Sequence, residues 1–136
     1  MNRHDSRVAA IQGLYSWDMN EDKDAADVQS FNWVENKKSD DDLAFARLML
    51  NGTLENIDEI DAQIKSRLAP NWDFSRVNKV TLSILRVSAY SLIYQKDLQS
   101  AIIINEAVEI AKTFGIDDQA AFINGILDRI AKELRQ

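Results

Sequence analysis

The chain has 136 residues, of which 46% are hydrophobic and 28% charged, and this profile suits one globular domain with its own core. It contains no cysteine, which excludes disulfides, thiolate metal sites and cysteine nucleophiles. The N-terminal sequence has no apolar segment of the signal-peptide type. The most apolar run is interrupted by Arg86 and is too short to span a bilayer. We therefore expect a cytoplasmic protein.

The formal net charge of −6 is unevenly distributed along the chain. Residues 18–62 carry 13 acidic and 4 basic side chains, giving −9, whereas residues 63–136 carry 10 basic and 8 acidic ones, giving +2. Attraction to phosphate comes from clustered lysine and arginine, so an acidic protein is not an obvious nucleic-acid binder. Any such binding must use a local patch away from the acidic segment.

Helices are predicted throughout, because apolar residues recur three or four positions apart and only four glycines and one proline interrupt them. The first helix spans about 6–17, and a weaker amphipathic helix spans 24–35. A long run from Asp41 ends before Pro70, and Gly52 within it either bends the helix or permits close packing.

The second half of the chain is also predicted to be helical. Ser75 is expected to cap an apolar, centrally buried helix that continues to about Gln95. A helix over 101–114 follows, although its first four apolar residues could also begin a strand, and the last helix spans about 118–134. The only candidate subdivision lies near Pro70. The prediction is thus an all-α domain over 1–136, divided into bundles of about three helices each at 1–70 and 71–136.

The stretch "KTFGIDDQAAFINGILDR" predicts a tight connection between the last two helices. Gly115 suits the left-handed position after a helix end, and Ile116 suits the hydrophobic contact that follows it. Asp117 or Asp118 can cap the next helix. The two helices are therefore expected to be antiparallel neighbours.

Phe122 lies at the margin of the last helix. At about 100° per residue, the core stripe consists of Ile123, Leu127, Ile130 and Leu134, with Phe122 about 90° from its centre. Asp118, Gly125 and Arg129 form a strip beside it. Geometry alone slightly favours an inward-folded Phe122 over a surface aromatic.

Catalysis is poorly supported by the residue inventory. His4 is the only histidine, and no catalytic triad, phosphate-binding loop or dinucleotide motif is present. The acidic cluster "ENIDEID" lacks the spacing of a calcium loop and is interpreted as a solvated helix face. We expect no enzyme activity, no metal and no cofactor.

Arg86 lies in the most apolar helix, where a buried guanidinium needs an acidic or backbone partner. Glu106 or Glu109, on the neighbouring helix, is the expected partner. Glu106 is assigned to a structural ion pair with Arg86.

Arg3 and Arg7 are four residues apart and share one face of the first helix, with Tyr15 further along it. Arginines beside an aromatic residue are typical of single-stranded RNA recognition. Two arginines at a terminus are also ordinary, and a lone tyrosine is more often a core residue.

Three stretches together resemble the NusB family of bacterial transcription antitermination factors. They are "RVAAIQGLYSWDMN", "SRVNKVTLSILRVSAYSL" and "IINEAVEIAKTFGIDDQAAFINGILDRIA". The resemblance implies a non-enzymatic protein with two three-helix bundles. It also implies binding to boxA RNA of ribosomal RNA leaders together with NusE, a small-subunit ribosomal protein, in an antitermination complex on RNA polymerase. The second bundle is implied as the NusE contact.

Residue by residue, the resemblance implies RNA contacts by Arg3, Arg7, Tyr15, Asp118 and Phe122, and His4 is included between the two arginines. Few arginines remain in the "NRHDSR" terminus, so weak RNA binding alone and tighter binding with NusE are expected. Some relatives dimerise, and a homodimer could hide the RNA surface.

Two alternatives remain open at this stage. The acidic charge favours a protein-interaction module without RNA binding. A domain resembling NusB also precedes the catalytic domain of some ribosomal RNA cytosine methyltransferases, and that interpretation requires the chain to be a fragment.

Overall fold

The computed structural model describes residues 2–20, 28, 30–34 and 40–135, and within them the structure is all-helical and without strands. Two short 3-10 turns precede α4 and α6, at Phe74–Arg76 and Asp117–Gln119. The six α-helices of these residues are α1 (Arg3–Met19), α2 (Asp40–Glu55), α3 (Ile57–Lys65), α4 (Lys79–Tyr94), α5 (Ser100–Thr113) and α6 (Ala120–Leu134).

Helix α4 is the centre of the molecule. All of its residues from Thr81 to Leu92 are buried, as expected for a helix that is apolar on nearly every side. It packs against each of the other five α-helices. The buried apolar side chains form one continuous core around it. The predicted central helix is therefore confirmed.

The buried Arg86 of α4 pairs with Asp61 of α3, so the predicted pairing with Glu106 is wrong. Its Nε and Nη2 each donate a 2.8 Å hydrogen bond to one carboxylate oxygen of Asp61, in a two-pronged geometry. A second carboxylate, that of Asp18, lies 3.5 Å from Nη1. The acidic cluster was predicted to be a solvated helix face, and for Asp61 this is wrong, because α3 turns its side chain toward α4.

The long helix predicted from Asp41 is interrupted at Asn56 and not at Gly52. The side-chain amide of Asn56 donates to the carbonyl of Gly52 at 2.8 Å, and such local bonds compete with continued helix. Gly52 instead permits close packing: a Cβ added there would lie 2.3 Å from ring atoms of Tyr90.

Helix α4 begins three residues later than predicted, because Asn78 and not Ser75 caps it. The Oδ1 of Asn78 accepts from the backbone amides of Val80 and Thr81 at 2.9 and 3.1 Å. Ser75 belongs to the preceding 3-10 turn, where its amide donates to the carboxylate of Asp73. The segment 66–78 between α3 and α4 is therefore longer than the sequence indicated.

The predicted second helix over 24–35 falls largely outside the described residues. Residues 30–34 form turns and not a helix, and Phe31 has a φ of 52°, in the left-handed region. The side chains of Val28 and Phe31 are buried, as their spacing indicated.

The corner between α5 and α6 has the predicted helix-ending geometry. Gly115 has a φ of 76°, its amide donates to Lys112, and the amide of Ile116 donates to Ala111 at 2.9 Å. These two bonds define a Schellman motif. Neither Asp117 nor Asp118 provides a side-chain cap, since the 3-10 turn leads directly into α6.

Candidate RNA interface

The start of α1 presents Arg3 at the surface. Asn2 caps the helix by accepting from the amide of Asp5 at 2.8 Å. The guanidinium of Arg3 lies 3.8 Å from the centroid of the Phe45 ring, a cation–π contact that leaves the residue exposed. Arg3 therefore remains available to an anionic ligand.

His4 contacts a neighbouring helix of the protein. Its Nδ1 lies 2.6 Å from Oε2 of Glu106 on α5, and both side chains are partly exposed. Glu106, expected to hold Arg86, thus ties the start of α1 to α5.

Arg7 is only 3% exposed, which contradicts its predicted contact with RNA phosphate. Its Nη1 donates to Oγ of Ser91 on α4 at 3.0 Å. Burial lowers the pKa of Arg7, and the charge of Glu106 opposes that shift. Arg7 is therefore an internal residue. It lies on the same face of α1 as Arg3, but one turn further along, where that face packs against α4.

Tyr15 is 37% exposed, on the outer side of α1. It lines an apolar depression of about 200 Å³ with Ile11, Gln12, Val80 and Phe114. Tyr15 is thus neither a core residue nor a fully exposed one. The depression joins α1 to the first turn of α4 and the end of α5.

The first turn of α4 also connects Tyr15 with the corner that carries Asp118. Val80 lines the Tyr15 depression, and its neighbour Thr81 donates from Oγ1 to Oε1 of Gln119 at 3.2 Å. Asp118 beside it is exposed. Residues far apart in the chain therefore lie along one edge of the molecule.

Phe122, one turn beyond Asp118, is partly buried and packs on an aromatic residue that the sequence analysis did not select. Its ring centroid lies 5.2 Å from that of Trp72, with the planes tilted by 31°. Trp72 is 49% exposed. The tryptophan in the connecting stretch "APNWDF" was the available signal, because its large apolar ring gains stability by packing on another aromatic side chain.

The predicted set of RNA-binding residues is therefore divided. Tyr15, Asp118 and Phe122 lie along one edge, which we call the candidate RNA edge. Arg3 and His4 lie at the other end of α1, roughly 18 Å away at 1.5 Å per residue. Arg7 is inside.

The described residues offer no other chemistry at this surface. Among them, no group of three or more acidic, histidine or cysteine side chains could hold a metal ion. None of their helices is long and apolar enough to cross a membrane. The geometry suits binding of a ligand by stacking, hydrogen bonding and charge.

Comparison with known proteins decides the family. The NusB family profile matches residues 4–132. The chain belongs to the NusB family. The NusB antitermination protein of Treponema pallidum (strain Nichols) is 46% identical over 139 residues, covering 97% of this chain and 94% of that protein. NusB proteins are transcription antitermination factors and not enzymes, as the resemblance implied.

Solved NusB structures share this fold. The structure of T. maritima NusB superposes with a TM-score of 0.87 at 32% identity, covering 98% of this chain and 92% of that one. A crystal structure of the antitermination factors NusB and NusE in complex with double-stranded RNA has a TM-score of 0.83 at 24% identity. It covers 97% of this chain and 98% of that one. At that identity the second likeness concerns the fold alone.

Proposed function

We propose that this NusB protein binds boxA-type leader RNA of ribosomal RNA operons together with NusE. In this role it joins the antitermination complex on RNA polymerase in the cytoplasm. The observation that carries the proposal is the candidate RNA edge, along which Tyr15 lies with Asp118 and Phe122 although about 100 residues separate them in the chain. The solved complex of a NusB and a NusE with RNA supports it.

The edge suits bases better than phosphates. Tyr15 and Phe122 offer aromatic surface on which bases stack. The carboxylate of Asp118 repels phosphate but accepts hydrogen bonds from base amino groups. Phosphate contact falls to separate cations such as Arg3, because Arg7 is buried. This division predicts weak RNA binding by the protein alone and tighter binding together with NusE.

The test is a titration of a boxA RNA oligonucleotide into the protein with and without NusE, at two salt concentrations. Phe122→Ala should raise Kd roughly tenfold, the effect of losing one stacked base. Asp118→Asn should change the preference among bases, because the amide adds a donor.

Two matched controls lie away from the edge. Asp58→Asn changes an exposed aspartate in the first turn of α3, and Ile102→Ala removes an exposed apolar side chain near the start of α5. Both should bind RNA as the wild type does. Unchanged affinity in both edge variants would refute the assignment of the edge.

A protein-interaction role without RNA binding is the second candidate. It is favoured by the net charge of −6 and by the burial of Arg7, which leaves Arg3 as the exposed arginine of α1. An RNA complex should weaken steeply with added salt, whereas a purely protein-binding module should show no RNA titration at either concentration. Light scattering of the same samples tests a homodimer, which would hide the edge.

A further inference from the structure

Trp72 presents an open aromatic face next to the candidate RNA edge. One side of its indole packs on Phe122, with the ring centroids 5.2 Å apart, while about half of the residue remains exposed. The backbone amide of Trp72 donates to Ala69 at 2.9 Å, so a turn after α3 fixes its position. The ring is therefore held in place by the fold and not by a ligand.

Trp72 lines a depression of about 340 Å³ together with Asn71, Asp73 and Arg76, and Phe122 is not among the lining residues. Asp73 is engaged there, because its carboxylate accepts from the amide and the hydroxyl of Ser75 at 2.9 and 2.7 Å. These bonds hold the pKa of Asp73 below its usual value. The depression thus combines the aromatic ring of Trp72, the guanidinium of Arg76 and the Asp73 carboxylate, which is already hydrogen-bonded to Ser75.

Arg76 supplies an unpaired cation in this depression. The surrounding stretch 65–79 has four basic residues and one acidic residue, a local excess of +3 in a chain of net charge −6. Lys65 lies over an aromatic ring, Arg67 is buried against a glutamate, and Lys79 is 3.8 Å from an aspartate. The exposed guanidinium of Arg76 has no such partner among the described residues.

We propose that Trp72 and Arg76 form a nucleotide-binding subsite that extends the candidate RNA edge beyond Phe122. A base stacks on the open face of Trp72, and Arg76 contacts its phosphate. The inference rests on the proposed RNA function and adds two residues to it. Single-stranded RNA is the occupant because a flat aromatic beside a free cation matches a base and its phosphate, and because the local charge is positive.

The test compares variants that separate stacking from packing. Trp72→Leu keeps an apolar cover on Phe122 but removes the aromatic face, and should raise Kd for boxA RNA about tenfold. Trp72→Phe keeps an aromatic face and should stay within about threefold of the wild type. Arg76→Gln should lower the slope of log Kd against log salt by about 0.7, the effect of one single-strand phosphate contact.

Two further measurements guard the interpretation. Lys96→Gln removes an exposed charge just beyond the opposite end of α4 and should leave the slope near that of the wild type. RNA stacking should quench the fluorescence of Trp72. The Trp72→Phe variant, which retains Trp17 and Trp33, should lose most of that quenching even if its affinity is preserved.

Each outcome decides between the subsite and the wider function. If wild-type protein binds RNA and Phe122→Ala weakens it, but Trp72→Leu binds normally, the subsite is refuted and the RNA function stands. If Trp72→Leu impairs binding of NusE in the absence of RNA and leaves RNA affinity intact, the surface serves a protein and the subsite is refuted. If wild-type protein with NusE binds no boxA RNA, both proposals fail.

Discussion

At the scale of single residues, Arg86 and Asp61 form the buried contact with the sharpest consequence for stability. The buried guanidinium of Arg86 donates two hydrogen bonds of 2.8 Å to Asp61. Removing Arg86 leaves the Asp61 carboxylate without its partner, and removing the Asp61 charge leaves Arg86 only the longer contact with Asp18 at 3.5 Å. Arg86→Met and Asp61→Asn should each lower the free energy of unfolding by about 3–5 kcal/mol. Urea denaturation measures the change.

Replacing both partners together should cost less than the sum of the two single replacements, since neither member of the pair is then left without the other. Glu106→Gln is the matched control: it removes a carboxylate near His4 and should show no coupling with Arg86→Met. An Arg86→Met protein as stable as the wild type would contradict the structural role assigned to this pair.

The sequence identified the need of Arg86 for a partner but not the partner itself. Burial follows from the apolar neighbours of a residue, whereas pairing depends on which face of each adjacent helix meets α4. Glu106 and Asp61 are both acidic, but α3 turns Asp61 toward Arg86 whereas Glu106 on α5 faces His4. The same limit applies to Arg7: its position in the sequence indicates which face of α1 it lies on, but not whether that face is buried.

At the scale of helices, two glycines with opposite surroundings give a paired prediction. A Cβ at Gly52 would lie 2.3 Å from ring atoms of Tyr90 and force the ring or α2 to shift, whereas nothing lies within 4 Å of one at Gly125. Gly52→Ala should therefore lower the free energy of unfolding by about 1–3 kcal/mol. Gly125→Ala should raise it by roughly 0.5–1 kcal/mol, through helix propensity.

Thermal unfolding of the two alanine variants measures these changes in stability. Gly125→Ala is the control for Gly52→Ala, because both replace a helical glycine with alanine. The double variant Gly52→Ala/Tyr90→Leu replaces the opposing ring with a smaller side chain, and it should recover part of the lost free energy of unfolding. A Gly52→Ala protein that is stabilised as much as Gly125→Ala would show that the Tyr90 ring makes room at little cost, and would contradict the prediction.

Helix ends were predictable where a residue's own geometry decides them. Gly115 is such a case, because only the left-handed conformation allows the two bonds that end α5. The start of α4 was not, since Ser75 and Asn78 are both acceptable caps and the 3-10 turn that uses Ser75 precedes the helix. The candidate RNA edge was predictable only through family resemblance. The parts of the chain that form it meet through contacts distant in sequence, such as the hydrogen bond between Thr81 and Gln119, which are 38 residues apart.

At the scale of the whole molecule, α4 connects the two predicted bundles. It packs on α1, α2 and α3 as well as on α5 and α6. Two further contacts join the parts of the chain before and after Pro70: Arg67 pairs with Glu133 at 2.7 Å, and Arg129 donates to the carbonyl of Arg67 at 2.8 Å. The division at Pro70 stays a prediction about topology, and these contacts argue against two separately stable units.

The corresponding prediction concerns chains cut at this position. Residues 1–70 and 71–136, expressed separately, should each lack a cooperative unfolding transition, because each exposes the apolar surface that the other covers on α4. Mixing the two fragments should restore helical circular dichroism and a single transition whose midpoint rises with concentration. The intact chain, denatured and refolded under the same conditions, controls for reversibility. A cooperative transition in residues 71–136 alone would show that the second bundle folds without the first, and that α4 needs only α5 and α6 to bury its core face.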